Sequence, residues 1–376
     1  MRTLIKLFEC SVSEAGVAAA TETLLGGTIA SGQNVQALER ALGDYLGTDN
    51  VVCMGDMTHA LAMSLHLAGV GPGDEVMTLA FNCLSSNSAI AQVGARPVWV
   101  DVDTVHGVMS LEDAALAVTP RTKAVVLYHL AGYPADVAAF RNFCDARGLV
   151  LIEDSNNALG ASVNGVKVGV TGDYAVVSFY PNRQVNGLEG AALICADPAK
   201  TQTARSLRRF GIDAGRFRDA TGEIDRTVDV AEIGMSSPLS NVNASVALAH
   251  LPSLEERLAR NRRNVRQLRD ALSPDSRVRP ITPTPGADPA YWVWLVRTDD
   301  RDHLMSTLKA AGVHCSRLHH PNDSYSGFGA AKRLLPGTRT LELEMMALPC
   351  GWWLDEGDIL VISEALRNAG ANIGRP

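Results

Sequence analysis

The amino-acid sequence predicts an α/β protein with a large domain built on a mainly parallel sheet and a smaller α/β domain after it. Between about residues 33 and 200, short apolar runs alternate with segments of helical periodicity. The apolar runs are continuous, which is typical of parallel strands that are covered on both faces. A chain of 376 residues is also too long for one small core, so we expect two domains.

The elements of the first domain follow one another in the order expected for such a sheet. Leucines at helical spacing predict a helix over residues 36–46, and a second helix is predicted over residues 59–67. The predicted strands are residues 51–54, 75–79, 97–101, 124–128 and 150–154.

Three polar residues lie at or just past the ends of these predicted strands. They are Asp101, His129 and Asp154. Parallel sheets bind their ligands at the carboxyl ends of the strands. We therefore expect the functional site at this edge of the sheet.

The character of the chain changes after about residue 200. Residues 205–212 are basic, and residues 213–229 are polar and contain glycine and aspartate, which indicates a long loop. Loops of this length are uncommon unless they are functional. Further predicted elements are a helix at 251–272, a strand at 291–296 and helices at 303–311 and 359–368. We therefore divide the chain into a large domain, residues 1–250, and a small C-terminal α/β domain, residues 251–376.

Composition excludes several classes of function. The net charge of −7 argues against non-specific binding to nucleic acid or to an anionic membrane. The seven cysteines are scattered without CxxC spacing, so we predict neither a metal site nor a disulfide framework. The N-terminus lacks the apolar run of a signal peptide, and no stretch is long enough to span a bilayer. We expect a protein of the reducing cytoplasm.

Several short motifs occur in a characteristic order along nearly the whole chain. They include Gly71-Pro72-Gly73-Asp74-Glu75-Val76, Gly94-Ala95-Arg96-Pro97-Val98, Thr119-Pro120-Arg121-Thr122-Lys123, His129-Leu130-Ala131-Gly132-Tyr133-Pro134 and Ile152-Glu153-Asp154. In their order and spacing they make the chain resemble the DegT/StrS-type sugar-nucleotide aminotransferases. These are enzymes of pyridoxal phosphate (PLP) with fold type I. The resemblance implies a fold-type I, PLP-transferase-like architecture and a homodimer with its active site at the interface. It also implies a nucleotide-linked or other keto or amino sugar as substrate.

The resemblance assigns roles to residues that match the family in type or position. Asp154 matches the aspartate that pairs with the pyridinium nitrogen of PLP and makes the ring an electron sink. Met57, Thr58 and Ser178 fall where the cofactor's phosphate is bound, near a helix N-terminus in the case of Thr58. Asn157 takes the place of a glutamine near a cofactor oxygen. Each has a structural alternative, such as a strand-end cap, a helix N-cap or a buried polar residue.

Arg183 is the most consequential departure from the family. In Ser178-Phe179-Tyr180-Pro181-Asn182-Arg183 it takes the position of the lysine that forms the Schiff base with PLP. An arginine cannot form this imine because its guanidinium stays protonated in proteins. Lys167 does not replace the lysine, because in the family its segment is a surface hairpin.

Other departures cluster around the same pocket. Asp56 stands in the phosphate loop, where its negative charge is unfavourable for a phosphate. Cys83 falls near the aromatic residue that stacks on the pyridine ring. Ser236-Ser237-Pro238 falls at the Asn-x-Arg segment that crosses the dimer. The resemblance therefore implies PLP or pyridoxamine phosphate (PMP) as cofactor, but these residues weaken its binding and exclude a lysine aldimine.

The candidate catalytic residues follow from the same positions. Arg183 is a poor base and a good anchor for a phosphate or a carboxylate. His129 and His319 match positions near the substrate, although a lone histidine is more often structural. If the pocket contains a base, we expect it to be His129, His319, His320 or Tyr180.

The segment from Arg208 to Gly234 resembles an insertion found in enzymes that act on nucleotide-linked 4-keto-6-deoxy sugars. Its basic start is suited to a diphosphate. The alternative is that these arginines belong to a solvated helix end.

Three functions remain open from the sequence. The first is an enzyme of sugar or secondary-metabolite biosynthesis with a changed mechanism, either PMP-dependent or free of the cofactor. The second is a conventional PLP-dependent aminotransferase, against which Arg183 argues. The third is a non-catalytic partner subunit or binding module. A pocket with convergent His, Tyr and Arg side chains favours the first function, and a pocket emptied of polar groups favours the third.

Overall fold

Strands and helices alternate through most of the computed structural model, which describes residues 4–329 and 333–372. The strands are β1 (Val51–Met54), β2 (Glu75–Leu79), β3 (Arg96–Val100), β4 (Thr122–Tyr128), β5 (Val150–Asp154), β6 (Ser162–Val163), β7 (Val166–Lys167), β8 (Tyr174–Ser178), β9 (Ala191–Cys195), β10 (Arg279–Pro280), β11 (Ala287–Asp288), β12 (Trp294–Arg297) and β13 (Met345–Leu348).

Twelve α-helices lie within the described residues. They are α1 (Glu14–Leu25), α2 (Gln33–Leu46), α3 (Met57–Leu67), α4 (Leu84–Gln92), α5 (Leu111–Ala117), α6 (Val137–Asp145), α7 (Pro198–Leu207), α8 (Asn241–His250), α9 (Leu254–Asp270), α10 (Arg301–Ala310), α11 (Pro336–Glu344) and α12 (Glu356–Asn372). None of them is long and apolar enough to cross a membrane.

The large domain is organised by a seven-stranded sheet with the order β1-β9-β8-β5-β4-β2-β3. All neighbours from β8 to β3 are parallel, which confirms the predicted α/β fold class. Strand β9 differs, because it pairs antiparallel with both β8 and β1. The loop of residues 179–190 reverses the chain between β8 and β9, so that Ser178 lies opposite Ala191. This loop carries Arg183 at the carboxyl end of β8.

Both faces of this sheet are buried, as the continuous apolar strands predict. In β1, Val51 and Cys53 belong to one hydrophobic cluster, whereas Val52 and Met54 belong to another. Successive side chains of a strand point to opposite faces, so each cluster fills one side of the sheet. The sheet is thereby rigid and its carboxyl edge is a fixed platform.

A second core lies in the C-terminal part of the chain. Strands β10, β12 and β13 form an antiparallel sheet, and α10 and α12 pack against each other beside it. Ile5 joins this core and pairs with Val313. Helix α9 contributes Leu254 and Leu258 to the first core and Leu268 to the C-terminal core. The boundary at residues 250 and 251 stays a prediction.

The structure refines the predicted bounds of several elements. The helix predicted at 251–272 begins at Leu254, because a short 3₁₀ turn that contains Pro252 precedes it. Residues 208–240 contain none of the helices or strands given above, in agreement with the predicted long loop. Residues 162–167 form the hairpin of β6 and β7, which holds Lys167.

Candidate active site

Six polar side chains meet at the carboxyl edge of the large sheet, and we call them the Arg183 cluster. They come from the ends of β4 and β5, from the turn after β5, from the loop of residues 179–190 and from a segment that follows α10. They are Tyr128, Asp154, Asn156, Asn157, Arg183 and His319. Because strand ends and turns set their positions, the cluster is preformed in the protein.

Asn156 joins the carboxylate of Asp154 to the guanidinium of Arg183. Its Nδ2 donates a hydrogen bond to Asp154 Oδ1 at 2.8 Å, and its Oδ1 accepts one from Arg183 Nη2 at 2.9 Å. Arg183 Nε also donates to the backbone oxygen of Asn156 at 2.9 Å. Among the described residues, Arg183 and Asp154 form no direct ion pair. The two charges are connected through an amide instead.

The guanidinium of Arg183 is further held by its own loop and by the small domain. Nη1 donates to Asn182 Oδ1 at 2.5 Å, and Cζ lies 4.7 Å from the ring centroid of Trp292. The indole Nε1 of Trp292 donates to the backbone oxygen of Asn182 at 2.7 Å. A guanidinium has five N–H donors, and three are used within the protein. Two donors therefore remain for a ligand.

Burial lowers the pKa of the Arg183 guanidinium, and nearby Tyr128, Cys83 and Asp154 act in the opposite direction. An arginine pKa is so high that the side chain keeps its charge despite this shift. The loop therefore presents a permanent, half-buried cation at the sheet edge. Such a cation is suited to bind an anion and is unsuited to serve as a base.

Tyr128 and His319 form a hydrogen-bonded pair beside Arg183. Tyr128 Oη lies 3.3 Å from His319 Nε2 and accepts a hydrogen bond from Asn157 Nδ2 at 3.0 Å. Burial, together with the charge of Arg183, lowers the pKa of His319 to about 3. Burial, then the charge of Asp154, raises the pKa of Tyr128. At neutral pH the imidazole is therefore neutral and the tyrosine keeps its proton.

Two buried acceptor atoms of the cluster have no hydrogen-bond partner among the described residues. They are Asp154 Oδ2 and Asn157 Oδ1. Asp154 is fully buried, and Asn157 is nearly so. Buried acceptors are normally satisfied. These two atoms therefore mark the side of the cluster where an N–H or O–H donor of a ligand fits.

Asp56 stands in the loop that the resemblance assigns to phosphate binding, directly before α3. This residue is the N-cap of α3, and its Oδ1 accepts the backbone N–H of His59 at 2.9 Å. Its Oδ2 lies 2.5 Å from His59 Nδ1. Met57 and Thr58, which are predicted to contact phosphate, form the first two residues of α3. Ser178 Oγ accepts the backbone N–H of Tyr180 at 3.2 Å.

His129 is committed to the core and is separate from the Arg183 cluster. Its Nε2 lies 3.2 Å from Glu153 Oε2, and its Nδ1 accepts the backbone N–H of Ala135 at 3.1 Å. Burial opposes the charge of Glu153, but hydrogen bonds from His129, Gly169 and Gly172 keep the pKa of this carboxyl below its usual value. Both ring nitrogens of His129 are therefore engaged by the protein, and its catalytic role stays a prediction.

Asp101 is likewise part of the framework. Its carboxylate accepts the backbone N–H groups of Val102, Gly337 and Thr338 and the hydroxyl of Thr338, at 2.6–2.9 Å. It thus caps the start of α11 and ties the C-terminal segment to the end of β3. Of the three residues predicted at strand ends, only Asp154 belongs to the cluster.

The remaining candidates lie around the cluster in different settings. Tyr180 is exposed, and its backbone oxygen accepts the backbone N–H of Arg183 at 2.9 Å. His320 is exposed and pairs with Glu342 at 3.2 Å. Cys83 accepts a hydrogen bond from Ser85 Oγ at 3.0 Å and lies near Arg183. Ser237 Oγ lies 3.2 Å from His59 Nδ1, beside the start of α3.

Lys167 is used elsewhere in the protein. Its Nζ donates to the backbone oxygen of Tyr45 at 2.5 Å and lies 3.7 Å from the centroid of the Tyr45 ring. Lys332 lies outside the described residues. The basic start of the long loop is also engaged, since Arg208 donates to Glu39 and to the backbone oxygen of Cys53.

Strained backbone surrounds the site. Ala131, Leu188, Tyr291 and Leu318 have positive φ angles, of 54°, 66°, 45° and 67° respectively. An L-residue in this region costs of order 1–3 kcal/mol and persists when the surrounding structure imposes it. Two of these residues directly precede Trp292 and His319, so the strain accompanies the placement of site side chains.

The residues of the site fit PLP only in part. The unpartnered Asp154 Oδ2 fits a protonated ring nitrogen. The start of α3 fits a phosphate poorly, because the Asp56 carboxylate occupies the backbone N–H of His59 and places a negative charge there. Arg183 cannot form the imine. Taken together, the residues present do not fit PLP as a lysine-bound cofactor. No group of three His, Cys, Asp or Glu side chains suited to a metal occurs among the described residues.

Sequence reasoning missed four residues of the site. Asn156 and Asn182 bind Arg183, Trp292 lies under its guanidinium, and Tyr128 pairs with His319. One signal was present, because the polar run Ser155-Asn156-Asn157 directly follows the strand-end Asp154. Trp292 gives no such signal, since only the fold brings it to the loop of residues 179–190.

Comparison with known proteins gives consistent matches. The model of the DegT/DnrJ/EryC1/StrS aminotransferase family matches residues 11–367. The chain is 30% identical over 359 residues to dTDP-3-amino-3,4,6-trideoxy-alpha-D-glucose transaminase of Streptomyces venezuelae, covering 93% of this chain and 90% of that protein. It is 29% identical over 358 residues to dTDP-4-dehydro-2,3,6-trideoxy-D-glucose 4-aminotransferase of Saccharopolyspora spinosa, with 93% of each chain covered.

Solved structures agree with these matches. The aminotransferase TlmJ of Streptoalloteichus hindustanus has a TM-score of 0.90 at 31% identity, over 98% of this chain and 100% of that chain. Spr1654 of Streptococcus pneumoniae, solved in a PLP form, has a TM-score of 0.88 over 99% of this chain and 100% of that chain, at 23% identity. This second likeness is evidence for the fold alone.

Proposed function

Because the chain belongs to the DegT/DnrJ/EryC1/StrS aminotransferase family, we propose that it is an enzyme of sugar or secondary-metabolite biosynthesis that works without a lysine imine. The relatives named for dTDP-linked sugars support a nucleotide-linked or other keto or amino sugar as substrate. The architecture of the family also supports a homodimer. The chemistry is proposed from the residues of the Arg183 cluster.

The preformed setting of Arg183 carries this proposal. Three of its five N–H donors are fixed by Asn156 and Asn182, and its flat face rests on Trp292. A guanidinium fixed in this way loses little freedom when it binds an anion, and its planar pair of donors matches a carboxylate or phosphate. We assign Arg183 the role of anchoring an anionic group of the substrate.

The Tyr128–His319 pair supplies a proton-carrying group next to this anchor. Tyr128 Oη lies 3.3 Å from Nε2 of His319, whose pKa is lowered to about 3. A substrate oxygen that accepts a hydrogen bond from the Tyr128 hydroxyl would be polarised by it. His319 stays neutral at neutral pH, so its role here is to orient this hydroxyl. Exposed Tyr180, whose backbone oxygen accepts the N–H of Arg183, is a further candidate for contact with the substrate.

Two other functions compete with this one. A conventional PLP-dependent aminotransferase agrees with the overall similarity, but it needs an imine-forming lysine that this loop lacks. A non-catalytic partner subunit is favoured by one observation, which is the occupation of the α3 N-terminus by Asp56. The convergence of Arg183, Tyr128 and His319 favours an enzyme over this second candidate.

Ligand binding to matched variants tests the proposal. A panel of dTDP- and UDP-linked keto and amino sugars is screened by thermal shift, and hits are measured by titration calorimetry. We expect Arg183→Met to lose at least tenfold in affinity for a ligand that binds the wild-type protein. Arg257→Lys is the control, because Arg257 also lies 4.7 Å from a tryptophan ring centroid, that of Trp352. Equal affinity of Arg183→Met and the wild-type protein for the ligand would refute the anchoring role of Arg183. A panel without any hit would favour the non-catalytic subunit.

A further inference from the structure

The N-terminus of α3 is an anion-binding position that the protein itself fills. A helix N-terminus attracts anions through free backbone N–H groups and the helix dipole. Helix α3 has 11 residues, and its first turn faces the loop that holds Asp56. Asp56 Oδ1 takes the N–H of His59 at 2.9 Å. The donor that an incoming phosphate would use is therefore already bonded to a carboxylate.

The second oxygen of this carboxylate is also engaged. Asp56 Oδ2 lies 2.5 Å from His59 Nδ1, and the same ring nitrogen lies 3.2 Å from Ser237 Oγ. The backbone N–H of Gly55 donates to the carbonyl oxygen of Ser237 at 2.8 Å. The loop before α3 is thus closed by its own acid and by the segment around Ser237.

A second acid adds to the negative charge at this place. Burial raises the pKa of Glu189, and the charge of Asp56 contributes to the same shift. Asp56 and Glu189 therefore lie close enough to influence each other. A phosphate at the start of α3 would meet the like charge of Asp56 and of this second acid, whereas a neutral group would not.

We propose that Asp56 is a built-in substitute for a ligand phosphate, so that the pocket binds ligands that carry no phosphate at the start of α3. The part of the ligand that enters beside α3 is a neutral group with an N–H donor, and this donor meets the buried Asp154 Oδ2 and Asn157 Oδ1. PLP and PMP are disfavoured at their phosphate end, whereas the unpartnered Asp154 Oδ2 still fits their protonated ring nitrogen. This inference is independent of the anchoring role of Arg183.

A pair of probes that differ only in the phosphate isolates this effect. Pyridoxamine and PMP are titrated into wild-type protein, Asp56→Ser and Asp136→Ser, and binding is followed by calorimetry and by the absorbance of the pyridine ring. Serine is itself a good N-cap, so the substitution keeps helix α3. Asp136 is the matched control because it caps α6 in the same way, accepting the N–H of Ala139 at 3.0 Å.

We expect wild-type protein and Asp136→Ser to bind pyridoxamine at least as tightly as PMP. In Asp56→Ser we expect the preference to move at least tenfold toward PMP. Tighter binding of PMP than of pyridoxamine by the wild-type protein would overturn the proposal, as would an unchanged preference in Asp56→Ser. Absence of PMP binding by Asp56→Ser would also overturn it, because removal of the carboxylate should open the site.

The outcome separates this inference from the proposed function. Tight PMP binding by the wild-type protein would refute the role of Asp56 and would leave an imine-free enzyme intact, since PMP brings its own amine. Loss of sugar-nucleotide binding in Arg183→Met tests only the anchoring role of Arg183 and says nothing about Asp56. Asp56→Asn serves as a second variant, because it keeps the size and capping ability of the side chain and removes its charge.

Discussion

The guanidinium of Arg183 lies over the indole ring of Trp292, with 4.7 Å between Cζ and the ring centroid. Phe8 stacks on the same indole at 4.6 Å, and the indole N–H is bonded to the loop that carries the arginine. The arginine is therefore a packed part of the site. An exposed arginine that happened to replace a lysine would have no such support.

We expect no internal aldimine between PLP and this protein. Arg183 cannot form one because its guanidinium stays protonated, and Lys167 is bound to Tyr45. Incubation with PLP, reduction with borohydride and peptide mass analysis should find no phosphopyridoxyl group at residue 183. Arg183→Lys is the positive comparison, in which an adduct at residue 183 is expected. A specific adduct at any lysine of the wild-type pocket would contradict this prediction.

Trp292 and Arg183 should be energetically coupled. We expect Trp292→Leu to lower the free energy of unfolding, because it removes the aromatic face under the guanidinium and the bond to Asn182. A double-mutant cycle of Trp292→Leu with Arg183→Met should give a coupling of about 0.5–2 kcal/mol. The control cycle uses Trp353→Leu, whose Nε1 donates to Lys6. Equal coupling in both cycles would mean that the stacking has no specific energetic role.

His319 should stay neutral in the folded protein throughout the range from pH 5 to 8. Its folded-state pKa is lowered to about 3, whereas an unfolded histidine titrates near 6.5. Between these values the unfolded state binds the extra proton, so acidification destabilises the folded protein. The contribution of His319 therefore falls as the pH drops below about 6.5.

His319→Gln provides the measurement for this pH dependence. Urea unfolding of both proteins at pH 7.5 and pH 5 should show a smaller loss of stability in the variant. His303→Gln is the control, and NMR of the wild-type ring should show no titration of His319 between pH 5 and 8. A ring that titrates near pH 6.5 would refute the neutral Tyr128–His319 pair.

Asp101 should contribute to the free energy of unfolding and have no effect on ligand binding. Asp101→Ala leaves the N–H groups of Val102, Gly337 and Thr338 without their acceptor, which we expect to cost about 3 kcal/mol of unfolding free energy. Asp103→Ala, which removes an acceptor for Val105 in the same region, should cost about 1 kcal/mol. Denaturant unfolding measures both values, and similar losses in the two variants would contradict the structural role of Asp101.

The fold could be predicted from sequence because its strands are fully buried. Residues 51–54, 75–79 and 150–154 were predicted with the bounds that the structure has, since a continuous apolar run has few other interpretations. The reversed strand β9 was not predicted. Its direction depends on the path of the loop of residues 179–190, which has no periodic signal.

Residues of the site could be predicted from sequence only where their place in the chain matched a position with a known role in the related family. Four cluster residues were identified by their place in the chain: Asp154, Asn157, Arg183 and His319. A catalytic role for His129 stays a prediction, and nothing in the sequence indicates its buried partner Glu153. The support from Trp292 and the pairing of His319 with Tyr128 arise when distant segments pack together, and pairwise contacts of this kind are not encoded in local pattern.

The positive φ angles of Tyr291 and Leu318 store backbone strain directly beside two site residues, Trp292 and His319. Glycine adopts this conformation without strain, so Leu318→Gly would relax the backbone there while it loosens the hold on His319. The same substitution would remove a side chain that packs against the hydrophobic core. The strain and the core packing at these two positions therefore act together to fix the geometry around Arg183.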